Sequence, residues 1–456
     1  MAQPDTSNSN ASNYDFSAPG LYAVGVQTFQ VHGLTQAHGK AAAVSVFYPG
    51  STQGRSPSCF NVTEIPPLPW FFEWVRLIPW RLTMGSAVEH TSERPVDVAP
   101  PEDGLYPIIF FHHGFPSFRM TMPTLHSHWA SHGFVVVAAD HPGRTDREHV
   151  ATEVERDPLV DTDELYRMFG DKDGPFARFS KFVDLSKVVL SGESGGALCV
   201  VTPKLELSVV KAAKLYIAMV MDPVQAAKQY PDAACPPPEW GSVLALGGLR
   251  DTDRPRQLEL AGVFWEKSTV RVVLLEDAPH LAWDDAGRLF DSWLVRKTFA
   301  WSLGKRRSEI DAPCLNYQFC HVFAKQLSIA AIFEVFPTKK CSSEMAAQAL
   351  TPDSIQAFAR KLTIKAPRDA AERLASMHQG VSCGEQVGRD VVVTANRGVN
   401  LYVKQAGSQE LRAPIPDTAD ACVFQQSWAD LAERRTPAGN KAMWDKHREV
   451  GEANQL

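Results

Sequence analysis

The sequence predicts an α/β protein: a mostly parallel central sheet with helices on both faces, followed by a small C-terminal α+β extension. Three observations carry that prediction. Continuous apolar runs at 106–114, 133–140, 215–222, 243–247 and 270–275 have the pattern of strands buried on both faces. Helix-like stretches separate them, which is the alternation that builds parallel sheets. One strand-to-helix passage, 186–199, holds a serine between glycines, Gly192-Glu193-Ser194-Gly195-Gly196.

In chain order, residues 22–26 and 42–49 are alternating or continuous apolar runs that suit an antiparallel pair at a sheet edge. An aromatic stretch, 66–85, follows. Trp70, Phe71 and Trp74 stand there beside Glu73 and Arg76, a mixture that suits a membrane boundary, the mouth of an apolar pocket, or a segment packed on the core. The buried strand 106–112 comes next, and after a helix, the strand 133–140. Residues 145–185 are acidic and turn-rich and read as a cap or crossover above the sheet. The α/β-fold portion is expected to span 20–336, ending in an apolar helix. Residues 337–456 change character, with helix-like pieces at 353–362 and 369–378 and strand signals at 391–394 and 399–404, and form an appended region of no evident role.

At 456 residues the chain suits one large α/β domain with something added. Its net charge of -6 and the lack of any basic block argue against a nucleic-acid partner. Residues 1–19 are polar, lack the basic start and apolar core of a secretory signal, and read as a disordered tail. Eight cysteines without CxxC spacing suit free thiols in a reducing compartment, so the expected location is cytoplasmic, with peripheral contact to membranes through 66–85. The sequon at Asn61 would matter only on secretion. No run reaches the roughly 18 apolar residues of a transmembrane helix.

The G-x-S-x-G passage has the signature of a nucleophile elbow, in which the strand ends on a serine held in a strained turn that projects its hydroxyl. Gly192 and Gly196 let the turn close, and Ser194 is the candidate nucleophile. A serine needs an imidazole to take its proton and a carboxylate to orient that imidazole. In the α/β-hydrolase arrangement the acid and then the histidine follow the serine, after later strands. Asp222 ends the first strand after the elbow, and His280 follows the third. Asp251 and Asp253 follow the second, but in a polar loop, whereas Asp222 directly ends a buried strand, so Asp222 is the favoured acid and Asp251 the alternative. The backbone N–H of Gly195 is one expected oxyanion donor, and that of Phe115, in the loop after strand 106–112, the other. His112, His113, His126, His128, His132 and His141 invite a zinc reading, but His126 and His128 cannot share a helix face and no cysteine or H-E-x-x-H accompanies them. No metal and no cofactor is expected.

These residues resemble a family. The runs 20–25 and 47–49, His113-Gly114-Phe115-Pro116-Ser117-Phe118-Arg119, Ala130-Ser131-His132-Gly133-Phe134 and Gly192-Glu193-Ser194-Gly195-Gly196-Ala197 are similar in order and spacing to platelet-activating factor acetylhydrolases, over about 20–301. The resemblance implies an α/β-hydrolase fold, the triad Ser194, Asp222 and His280, oxyanion donors at Phe115 and Gly195, and esterase or lipase activity on short or oxidised acyl chains of phospholipids, without calcium. Phe111-His112-His113-Gly114-Phe115, Asp222-Pro223-Val224 and His280-Leu281 also resemble chlorophyllases, and both groups share a superfamily with cutinase-like hydrolases. Glu193 stands where the family has histidine, Pro116 interrupts the oxyanion loop, and the C-terminal region matches neither group. The expected partner is a lipid or other hydrophobic ester. A chlorophyllase-like or general carboxylesterase is one alternative; a non-catalytic lipid- or partner-binding protein on the same fold is another.

Overall fold

The computed structural model describes residues 14–37, 39, 41–51, 96–114, 118–141, 158–201, 206–219, 241–248, 269–278, 280–283, 285, 317–377 and 380–404. The strands of the central sheet are β1 (Ala23–Val31), β2 (Ala42–Gly50), β3 (Tyr106–His112), β4 (Val135–Ala139), β5 (Val183–Glu193), β6 (Ala213–Met219), β7 (Ser242–Gly248) and β8 (Val270–Leu275). Three more strands, β9 (Leu362–Pro367), β10 (Val381–Val387) and β11 (Asp390–Ala395), make a small antiparallel sheet of their own. A last strand, β12 (Val399–Lys404), returns to the central one.

The spatial order is β1-β2-β4-β3-β5-β6-β7-β8-β12. Strands β3 to β8 run parallel to one another, β2 joins them antiparallel to β4 and forms the expected antiparallel pair with β1 at one edge, and β12 runs antiparallel to β8 at the other. This is the α/β-hydrolase fold. The order puts β5, which carries the serine, in the middle, where both faces are covered and a reacting group can be shielded from water.

Alternation along the strands sorts the core into two layers. Ile109, Phe111 and Val189 point into one, Ile108, Phe110 and Val188 into the other. The first layer is covered by α1 (Pro123–Ser131) and α6 (Tyr317–Val335). The second is covered by α2 (Pro158–Gly170), α3 (Ala177–Ser180), α4 (Gly195–Val201) and α5 (Ser208–Ala212). Helix α2 therefore lies on the sheet face as part of the crossover between β4 and β5. Helix α6 is apolar nearly all round, because the sheet lies on one side and the C-terminal layer on the other. Trp129 of α1 donates its indole N–H to the Ser328 hydroxyl of α6 at 2.8 Å, which fixes how these two helices meet.

After α6 come α7 (Ser343–Ala349), α8 (Pro352–Ala359) and α9 (Arg368–Met377). Ser342 and Thr351 cap α7 and α8 through their side chains. The two strand signals near 391–394 and 399–404 belong to different sheets: β11 pairs with β9 and β10, while β12 pairs with β8 from Val399 opposite Leu275 to Lys404 opposite Val270. Leu362, Ile364, Val391 and Val393 join the same buried cluster as α6 and the central sheet. The described residues after 336, up to Lys404, thus share the main core.

The disordered tail expected over 1–19 is contradicted at 14–19, and residues 1–13 lie outside the described residues. Residues 14–19 are packed along α1 and α6, with Phe16 only 3% exposed. Gly20 crosses the end of α1 so closely that a Cβ there would lie 2.1 Å from the Ser131 carbonyl oxygen, and its N–H donates to the Ser131 hydroxyl. His128 donates through Nε2 to the Phe16 carbonyl, and His132 does the same to Ala18 while its Nδ1 accepts from the Tyr14 hydroxyl. The bonds to carbonyl oxygens favour the protonated rings, and burial outweighs them. Burial pushes His128 well below the usual histidine range and His132 down to about 4.

That arrangement makes stability pH-dependent with a definite sign. Between about pH 6.5 and 4 the unfolded chain takes a proton on His132 that the folded chain refuses, so stability falls as pH falls through that window. The loss from this group is about 3 kcal/mol when the window is crossed, and His128 adds in the same direction. Urea midpoints for wild type should drop between pH 7 and pH 4.5, and His132→Leu should drop less. Equal slopes would assign the acid sensitivity elsewhere.

Candidate active site

The elbow is built as its sequence requires. β5 ends at Glu193, Gly195 begins α4, and Ser194 between them has φ 51°, in the left-handed region that costs a non-glycine residue free energy. Its own N–H donates to the Met219 carbonyl at the end of β6, 2.8 Å away, which holds the turn against the neighbouring strand. A Cβ on Gly192 would come within 2.4 Å of the Gly196 carbonyl. One on Gly196 would come within 2.2 Å of the His112 oxygen and 2.5 Å of the His113 oxygen. Both glycines are thus needed for close approach: the first closes the elbow, and the second lets α4 start against the end of β3.

That end of β3 also passes directly beside Ser194. A Cβ on Gly114 would lie 2.8 Å from the Ser194 Cβ, and the Gly114 N–H donates to Glu193 Oε2 at 3.0 Å. The Glu193 carboxylate is buried, and it takes up the Gly114 amide. The Gly114 N–H is committed to Glu193. The segment is fixed on its far side too. Arg119 donates its backbone N–H to Asp140 Oδ1 at 2.7 Å and its guanidinium to Oδ2 at 2.8 Å, with a further bond from Nε to the Ser45 hydroxyl. A charge-assisted bond of this kind, supported by the backbone N–H on the carboxylate's other oxygen, holds backbone position well.

The histidines near β3 are accounted for by packing and hydrogen bonds. His113 Nδ1 contacts the Gly114 carbonyl at 2.7 Å and its Nε2 accepts the His141 N–H, which sets the neutral Nδ1–H tautomer. His112 stacks on His141 with ring centroids 5.3 Å apart, and His141 faces Asp161 at 3.8 Å. His126 is wedged edge-on between Phe47 and Phe111. Among the described residues no three His, Cys, Asp or Glu side chains converge as a metal site.

The remaining predicted groups divide in two. His280 opens a 3₁₀ turn, His280–Trp283, just after β8, and the topology brings that turn to the same carboxyl edge of the parallel strands as Ser194. Asp277, in the approach to it, has φ 58° and is the other described non-glycine residue at positive φ. Asp222, Asp251, Phe115, Trp70, Phe71 and Trp74 lie outside the described residues. The roles of Glu193, Arg119 with Asp140, and Asp285 were not read from the sequence. Glu193 stood out only as a departure from the family motif, and the others carry no local signal, because their partners are far away in the chain.

With this geometry in hand, comparisons with known proteins add a partial likeness. A family model described as chlorophyllase matches residues 80–237, a span that includes β3, β4, β5 and the elbow. No curated protein matches in sequence. Among solved structures, a ferulic acid esterase from Streptomyces cinnamoneus is similar, with a TM-score of 0.47, 16% identity, and coverage of 70% of this chain and 92% of that one. The elbow and the chlorophyllase-family match agree on one chemistry, hydrolysis of a carboxylic ester by a serine nucleophile.

Proposed function

We propose that the chain is a metal-independent serine esterase acting on a hydrophobic ester. The observation that carries this reading is Ser194 at φ 51° between strand and helix, a strained placement that a structural serine has no need of. Ser194 Oγ attacks the ester carbonyl while His280 takes its proton. The oxyanion that forms is met by the Gly195 amide and, from the loop beyond Gly114, by that of Phe115. His280 then gives the proton to the departing alcohol, leaving an acyl-serine. Water, activated by the same imidazole, cleaves the acyl-enzyme and restores the serine. Asp222 orients His280, with Asp251 as the alternative.

The substrate we favour is a phospholipid with a short or oxidised sn-2 acyl chain, taken from an interface touched by Trp70, Phe71 and Trp74. The support is the motif resemblance over about 20–301. A chlorophyllase-like activity is the second reading, favoured by the family match at 80–237. A substrate panel on purified protein separates them. Release of acetate or short acids from the phospholipid should exceed release from chlorophyll by at least tenfold, with p-nitrophenyl acetate cleaved in either case. Activity confined to chlorophyll would replace the first reading with the second. A folded wild type that a fluorophosphonate fails to label would remove both in favour of a binding protein.

A further inference from the structure

A buried carboxylate outside the expected triad ties two parts of the site together. Asp285 follows the turn that His280 opens, and it is 4% exposed. Its Oδ2 accepts the Thr124 N–H at 3.0 Å, its Oδ1 accepts the Thr124 hydroxyl at 2.5 Å, and its own N–H donates to the Thr121 carbonyl at 3.0 Å. Helix α1 has no local side-chain cap at Met122 and begins with Pro123, so Asp285 supplies from 161 residues away the acceptor that a helix start ordinarily finds nearby. On its other side Asp285 faces α6, where His321 Nδ1 lies 3.6 Å from Oδ1. Lys325, one turn further along α6, is pushed down by burial and drawn back up by the Asp285 charge.

Helix α1 continues the segment that starts at Gly114 beside Ser194. Three carboxylates take backbone amides of its described residues: Glu193 that of Gly114, Asp140 that of Arg119, and Asp285 that of Thr124. The first belongs to the nucleophile's own turn and the third to the stretch that follows His280. We infer that Asp285 is a positioning residue, which locks the turn bearing His280 to the segment beside Ser194 and so sets the distance between base and nucleophile. The inference rests on the serine-esterase reading above, and it adds a residue that acts through others without touching substrate.

The test uses the full chain and p-nitrophenyl acetate, with active sites counted by fluorophosphonate titration of Ser194. Asp285→Ala should lower kcat per titrated site by about 100-fold, the effect of misplacing reacting groups by about 1 Å, while KM stays within threefold. Thr124→Val, which loses the hydroxyl bond and keeps the helix amide, should lower kcat per site by about tenfold. Thr124→Ser, which keeps the hydroxyl, should recover most of that loss. A purely structural role would lower the number of titrated sites and the melting temperature and leave kcat per site alone; that result, in either Asp285→Ala or Thr124→Val, overturns the inference. If Asp285→Ala does not fold, Asp285→Asn and the two Thr124 variants carry the comparison. A wild type that labels while all variants keep their per-site rate sinks the positioning role only. A wild type that does not label sinks the esterase reading, and the positioning role with it.

Discussion

Replacing Ser194 by alanine should reduce ester hydrolysis by on the order of 10⁵-fold and abolish fluorophosphonate labelling, with the fold intact. The direction follows from the chemistry, since alanine has no oxygen to form the acyl-enzyme. The fold should survive because Ser194 holds its place through its backbone N–H to Met219, which alanine retains. Alanine at φ 51° bears the same backbone strain as serine, so stability should change by less than about 1 kcal/mol. Asp222→Asn should cost roughly 10⁴-fold, the penalty for losing the carboxylate that sets the imidazole's tautomer. A Ser194→Ala enzyme that keeps more than a hundredth of the wild-type rate would remove Ser194 as nucleophile. An intact rate in Asp222→Asn, with the loss appearing in Asp251→Asn, would move the acid to Asp251.

The second large effect is expected from Gly196→Ala, and it works through shape alone. The added methyl would sit 2.2 Å from the His112 carbonyl oxygen and 2.5 Å from that of His113. These are backbone atoms at the end of β3, in the middle of the sheet, and no side chain can swing aside to make room. Helix α4 would have to move off β3 by roughly 1 Å to reach ordinary contact. Overpacking of this kind costs about 3 kcal/mol, and the same displacement carries Gly195 and Ser194 away from Gly114. Activity should therefore fall by at least about 100-fold, beyond what partial unfolding explains. Urea unfolding gives the first number and active-site titration the second. A variant with wild-type midpoint and rate would show that α4 does not need its close approach to β3.

Much of this architecture was legible in local pattern. The runs at 106–114, 133–140, 215–222, 243–247 and 270–275 each hold a strand because a two-sided burial demands continuous apolar residues, and the edge pair β1 and β2 shows in its alternation. The elbow was legible for a stronger reason. A serine at positive φ between a strand and a helix, with backbone passing within a methyl's reach on two sides, leaves glycine as the residue that fits at 192 and 196. Sequence spacing alone therefore located Ser194.

Other parts were decided by partners that sequence does not place side by side. Phe16 reads as part of a polar tail until α1 and α6 supply a surface for it. Val399–Lys404 has a strand's composition, but its choice of β8 over β11 rests on an open edge that exists only once the sheet is assembled. Asp285 is one of many aspartates until the chain brings Thr124, His321 and Lys325 around it. The sequence by itself determined the α/β layering and the nucleophile's turn, because these follow from short-range sterics and burial periodicity. The tertiary structure alone decided how the loops around Ser194 are held, because Glu193, Asp140 and Asp285 each satisfy a backbone amide that is remote in sequence, and a buried carboxylate acquires its role only from the donors that surround it.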